Sequence, residues 1–184
     1  MPESKLAKTI YGWRVRSSPF VLMAILILAG PTWRSILIGL AICVLGLLIR
    51  TWASGHIRKE KTLAVSGPYR YTRNPLYLGN FLLGLSIAVA THSWWCFGLF
   101  AAYFIIFYPP VIQEERERMK RLFPKEYEEY GKKVPLFFPM WRRVMRSGAT
   151  KFDPALYRKN KECRALVGSL IAYAVLIAKM LLFP

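Results

Sequence analysis

The sequence predicts an all-α, polytopic membrane helix bundle, and three observations predict it. Hydrophobic residues make up 54% of the 184-residue chain, and its mean hydropathy is +0.27. They are gathered in uncharged runs, at 17–33, 35–49, 74–113 and 165–178. The charged residues fall between those runs. A spanning helix needs roughly 20 mostly apolar residues, so the 40-residue run 74–113 has room for two spans, separated by the polar turn Thr91-His92-Ser93. Five spans are expected, at 17–30, 35–53, 75–90, 94–110 and 165–183, in one membrane domain covering 1–184. The polar segments 54–74 and 111–164 are expected to carry a site, the second as a cap before the last span.

Net charge is +17, from 27 Lys+Arg against 10 Asp+Glu. A soluble chain this basic would point to nucleic acid, but here the charge is confined to particular loops, so no nucleic-acid partner is expected. Residues 50–73 carry six basic side chains and residues 114–164 carry fifteen, whereas 30–34 has only Arg34 and 91–95 has none. The positive-inside rule then places the N-terminal tail and both basic segments in the cytoplasm. Their charge suits an anionic leaflet, which makes the bilayer itself a partner. Cys43, Cys96 and Cys163 are odd in number and scattered, so they form no disulfide framework. His56 and His92 are too few and too far apart for a histidine-based metal centre, and no metal is expected. No cleavable signal peptide is expected, because the first apolar run is followed at once by a second.

In chain order, a basic tail precedes the first span, which Gly30-Pro31 should end. In the second, Gly39 and Gly46 lie seven residues apart on nearly one face and invite close helix packing. Arg50, near its end, is expected to snorkel. The fourth span is aromatic, and Pro109-Pro110 should kink or break it. A charged amphipathic helix follows, V-I-Q-E-E-R-E-R-M-K-R-L-F, with Val111, Met119, Leu122 and Phe123 on its apolar side. Glu115 lies four residues before Met119, so it can face that side too. Tyr127 and Tyr130 form another amphipathic patch, and the proline-broken run 134–141 cannot be a long helix.

One stretch is richer than a span requires: Gly67-Pro68-Tyr69-Arg70-Tyr71-Thr72-Arg73-Asn74-Pro75-Leu76-Tyr77-Leu78-Gly79. Its tyrosines and arginines could be an aromatic belt with positive anchors. They could equally supply donors and aromatic faces to a small charged ligand, with two prolines stiffening the backbone. The hairpin of the third and fourth spans brings this stretch to the same side as the Glu114-Glu115 helix.

The arrangement G-P-Y-x-x-x-R-N-P-x-Y-x-G, then E-E, then F-x-x-x-Y-x-x-Y-x-x-x-V-P, resembles the isoprenylcysteine carboxyl methyltransferase family, part of a wider group with the phospholipid N-methyltransferases. The resemblance covers about 63–139. It implies an integral membrane methyltransferase that uses S-adenosylmethionine, with its active site facing the cytoplasm. It implies a pocket lined by Lys61, Thr62, Leu63, Ala64, Tyr69, Asn74, Pro75, Leu76 and Tyr77, with Glu115 holding the cofactor and Glu114 as its fallback. Arg73, Asn74 and Glu115 are the expected catalytic residues. No G-x-G-x-x-G occurs in the chain, which fits a pocket built without a Rossmann domain. The chemistry is coherent, since tyrosine faces stabilise a sulfonium, arginine pairs with a carboxylate, and methyl transfer needs positioning and dryness rather than a protein nucleophile.

Two departures shape the expectation. Asn74 stands where the family has histidine, so no proton transfer is expected there. Val111 stands where prenylcysteine enzymes carry an arginine, with Arg50 and Arg73 as possible substitutes. The acceptor is therefore expected to be hydrophobic, either lipid-like or of prenylcysteine type. Two other classes stay open at this level: an NADPH-dependent membrane sterol or enone reductase, and a non-enzymatic scaffold.

Overall fold

In the computed structural model, residues 5–57, 62–139, 151–160 and 162–183 are described. Among these residues the regular elements are all helices: α1 (Lys5–Leu28), α2 (Trp33–Ser54), a 3-10 turn (Gly67–Arg70), α3 (Pro75–Ala90), α4 (Trp94–Leu122), α5 (Pro124–Lys133), α6 (Pro154–Lys159) and α7 (Cys163–Leu182). Three of them, α2, α4 and α7, are long and apolar enough to cross a membrane. The chain is thus a polytopic helical membrane protein. The first and third expected spans are helices too, but shorter in apolar length, Pro19–Leu28 and Pro75–Ala90. At 1.5 Å per residue, α3 reaches roughly 24 Å, less than the ~30 Å hydrocarbon core.

α2 and α3 form the centre of the bundle, and both expected glycine contacts are present. A Cβ on Gly39 would lie 2.7 Å from the Ser86 carbonyl oxygen and 2.7 Å from the Tyr173 hydroxyl. Gly46 faces the Gly79 backbone and Leu82 in the same seam. α7 joins there: the Tyr173 hydroxyl donates to the Ser86 carbonyl at 3.2 Å, and Leu176 is fully buried beside Ile36 and Cys43. Thr32 caps α2 in a reciprocal box with Ser35, which satisfies donors that the helix start would otherwise orphan. At this far end the Gly30 N–H donates to the Thr91 carbonyl at 2.9 Å, and Lys179 Nζ donates to the Leu26 carbonyl at 2.9 Å. The lysine thus sits at the C-terminus of α1, where the exposed carbonyls favour a cation.

Pro109 and Pro110 do not break the fourth helix: α4 runs unbroken through both. Membrane helices tolerate such residues when neighbouring helices and side chains hold the chain on course. Here Phe104 and Tyr108 stack at 4.1 Å before the prolines, and Met119 packs on α5 after them. Leu122 does not join the apolar side, being exposed.

Candidate active site

The Gly67–Arg70 turn is built to fold tightly. Gly67 has φ +57°, with the His56 ring packed against its α-carbon, a conformation that suits only a residue without Cβ. Pro68 presets the next residue. The stretch that follows is laced to the cap. The Tyr130 hydroxyl donates to the Tyr69 carbonyl at 2.5 Å. The Arg73 N–H donates to the Pro135 carbonyl at 2.9 Å, the Asn74 Nδ2 to the Leu136 carbonyl at 2.9 Å and the Thr72 hydroxyl to the Phe137 carbonyl at 2.7 Å. The non-helical run after α5 is therefore pinned onto residues 69–74. Tyr127, Tyr130 and Val134 bury beneath it, with Leu63, Met119 and Phe123 packed around them.

Tyr69 is buried at the centre. Burial pushes its phenol well above the ordinary value, Glu115 and Glu162 push it further, and Arg50 opposes them. Tyr77 acts on it as well. Side chains from α2, α3, α4 and the residue before α7 therefore act electrostatically on one phenol, which stays protonated at any ordinary pH. Glu115 also acts on Tyr127, whose pKa is raised chiefly by burial, with Arg73 opposing. Glu115 thus acts on both tyrosines.

Arg50 does not snorkel. Its Nε and Nη2 donate to Glu162 Oε2 at 3.0 and 2.7 Å, and its Nη1 donates to Asn80 Oδ1. The two charged side chains are only 15% and 7% exposed. Glu162 lies in a segment that reads as a basic linker and is not among the residues the sequence picks out. The signal was present: a lone carboxylate immediately before an apolar helix, matching a lone arginine inside another. Around it, Asn160 Nδ2 donates to the Ser54 carbonyl at 3.0 Å and the Asp153 N–H to the Gly55 carbonyl at 3.0 Å. The segment before α7 so satisfies carbonyls that the end of α2 leaves open.

Residues 33–126 match the phospholipid methyltransferase family. The chain belongs to that family. Members of the phospholipid methyltransferase family generally use S-adenosylmethionine. The chain is 33% identical over 136 residues to the nickel-cobalt-cadmium resistance protein NccN of Alcaligenes xylosoxydans xylosoxydans, covering 69% of this chain and 62% of that one. It is 38% identical over 114 residues to the cobalt-zinc-cadmium resistance protein CzcN of Cupriavidus metallidurans, covering 59% of this chain and 52% of that one. The chain thus spans between half and two thirds of the length of these relatives. No solved structure matches it.

Against the residues expected for a phospholipid methyltransferase-type pocket, the geometry is selective. Glu115 and Tyr77 both act electrostatically on Tyr69. Tyr77 meets Tyr108 edge-on, with ring centroids 6.1 Å apart. Glu114 is half-buried on the same helix. Arg73 lies against Tyr127 instead, its Cζ 5.4 Å from the ring centroid and its Nη1 3.4 Å from the hydroxyl. Asn74 is buried and spends its amide N–H on the Leu136 carbonyl, so it braces the cap. Pro75 is buried at the first turn of α3, a position that suits its fixed φ. Leu76 and Ala64 are half-buried, Leu63 packs under the tyrosines, and Thr62 is exposed. Lys61 lies outside the described residues.

These residues fit the expected cofactor. Its cationic sulfonium and ammonium call for carboxylates and tyrosine faces, which Glu115, Tyr69 and Tyr77 supply. Its carboxylate calls for buried donors. The Nε atoms of Arg73 and Arg116 are buried and lack partners among the described residues, a costly state that an anionic ligand would relieve.

Proposed function

We propose that the chain is an S-adenosylmethionine-dependent membrane methyltransferase acting on a hydrophobic, lipid-like acceptor from the cytoplasmic face. What supports this most is the family match over residues 33–126, together with a buried Tyr69 tied to the cap and the buried, unpartnered Nε atoms of Arg73 and Arg116 among the described residues. When bound, the cofactor supplies an activated methyl group. Glu115 would accept from its ammonium or ribose, and Arg73 and Arg116 would hold its carboxylate. The phenol of Tyr69 orients it by hydrogen bonding. Tyr77 and Tyr108 close the side facing the bundle and keep water out. No protein side chain acts as nucleophile, since in-line positioning carries the transfer.

A groove of about 130 Å³ between α1, α3 and α4 gives the acceptor a route from the bilayer. Its lining is mostly apolar and aromatic, with Val21, Leu22 and Phe100, and includes Tyr108, which meets Tyr77 edge-on. Val111 is half-buried on α4 and offers no charge for an acceptor carboxylate, which favours a lipid-like acceptor over a prenylcysteine. The relatives are named for resistance to divalent metals. For this chain we extend that setting as methylation of a membrane component.

In detergent or nanodiscs, S-adenosylhomocysteine is expected to raise the thermal midpoint of the purified protein, as any ligand selective for the folded state does, while NADPH leaves it unchanged. A rise with NADPH alone would favour the reductase class instead. No rise with either would favour a scaffold.

A further inference from the structure

We infer that Asn80 is the specificity-determining residue of the groove, presenting one hydrogen-bond donor to an oxygen of a membrane-derived ester or carbonyl. Asn80 lies on α3 and lines the groove, one helical turn from Gly84 and two from Ile87 on the same wall. Its neighbour on the other side is Arg50. A guanidinium only donates, so the Asn80 amide must offer Arg50 its carbonyl oxygen. The assignment of oxygen and nitrogen in this amide is therefore dictated by chemistry. The NH2 group is thus the end of the amide left for the groove that Asn80 lines.

Arg50 cannot easily swing aside to release Asn80. Two of its nitrogens are held by one carboxylate oxygen of Glu162, and Gly79 leaves room for its stem, which a Cβ there would meet at 2.4 Å. Glu162, Arg50 and Asn80 thus form a chain in which Glu162 Oε2 and Asn80 Oδ1 are committed to Arg50, and the Asn80 NH2 group is left over. That donor faces a cavity lined otherwise mostly by apolar and aromatic side chains. In such surroundings an unmet N–H is costly, so the site selects a ligand that carries an acceptor oxygen at that depth. A plain hydrocarbon fills the same space and leaves the donor unmet. A bilayer lipid has such an oxygen at its ester linkage, and the groove lies between helices that face the bilayer.

The inference rests on the methyltransferase reading for the ligand's role as acceptor, but its binding is separately measurable. The probes are a palmitate methyl ester with a mid-chain diazirine and the hydrocarbon of equal length with the same diazirine. The protein in nanodiscs is photolabelled with each, and the labelled peptides are mapped. The ester is expected to label peptides within Trp94–Leu122 and Pro75–Ala90 roughly three- to tenfold more than the hydrocarbon, the worth of one net hydrogen bond. In Asn80→Leu the ratio is expected to fall to about one. Asn80→Asp keeps an acceptor for Arg50, and so the fold, but offers no donor; its ratio should fall equally. Equal labelling by both probes in the wild-type protein, a preference that survives Asn80→Leu, or no label in the groove would overturn the inference. Stabilisation by S-adenosylhomocysteine is read on the same samples, so a failure here is distinct from a failure of the cofactor reading.

Discussion

Glu115→Gln is expected to weaken S-adenosylhomocysteine binding by roughly 10- to 100-fold while leaving the protein folded. Hydrogen bonds to charged groups contribute roughly 1.5–3 kcal/mol, and each 1.4 kcal/mol is about a factor of ten in affinity. The substitution keeps the shape and removes the charge. Glu115 acts on both Tyr69 and Tyr127, so it is the carboxylate common to the two halves of the candidate pocket. A carboxylate that acts on both tyrosines is the one proposed to meet a cation brought by the ligand. Titration calorimetry in nanodiscs measures the effect. Unchanged affinity in Glu115→Gln together with a loss in Glu114→Gln would shift the register by one residue; unchanged affinity in both would remove the carboxylate from the binding account.

The second large effect is on stability. Glu162→Ala is expected to destabilise the protein by about 3–5 kcal/mol, because it leaves the Arg50 guanidinium buried without its counter-charge. The double variant Arg50→Met, Glu162→Leu is expected to recover most of that loss, since apolar residues of similar volume often replace a buried pair at little cost. Denaturation midpoints of the single and double variants check this. A Glu162→Ala variant as stable as the wild type would mean that α7 is held by its apolar face alone. The same comparison separates the two roles of the pair. The double variant should remain folded yet lose the ester preference of the groove, because Asn80 no longer has a donor to fix its orientation.

The parts of this fold that were legible in the sequence are those set by local pattern. The uncharged runs became helices, and Gly39 and Gly46 became the α2–α3 seam because only glycine allows that approach. Tyr127 and Tyr130, three apart on a polar helix, turned inward as their spacing implied. What was not legible depended on partners far apart in the chain. Arg50 reads as a snorkelling residue until Glu162, 112 positions later, is placed beside it. Asn74 sits in the motif as a candidate catalytic residue, but its amide is committed to the Leu136 carbonyl, a contact that no spacing rule announces. Pro109 and Pro110, read as a kink or break, do not end α4, which runs through both. Thr62 belongs to the motif run yet faces outward. The family motifs point to the candidate site; the Arg50–Glu162 pair beside it joins α2 to the start of a helix lying beyond the family match.

The central claim is that this chain moves a methyl group onto a membrane component. The most direct test is to incubate the protein, in nanodiscs made from its host membrane lipids, with S-adenosylmethionine labelled in the transferable methyl group, and then to extract the lipids. The account predicts label in the organic phase that depends on the protein and is lost in Glu115→Gln. Unlabelled lipid from a folded protein that is stabilised by NADPH and not by S-adenosylhomocysteine would contradict it.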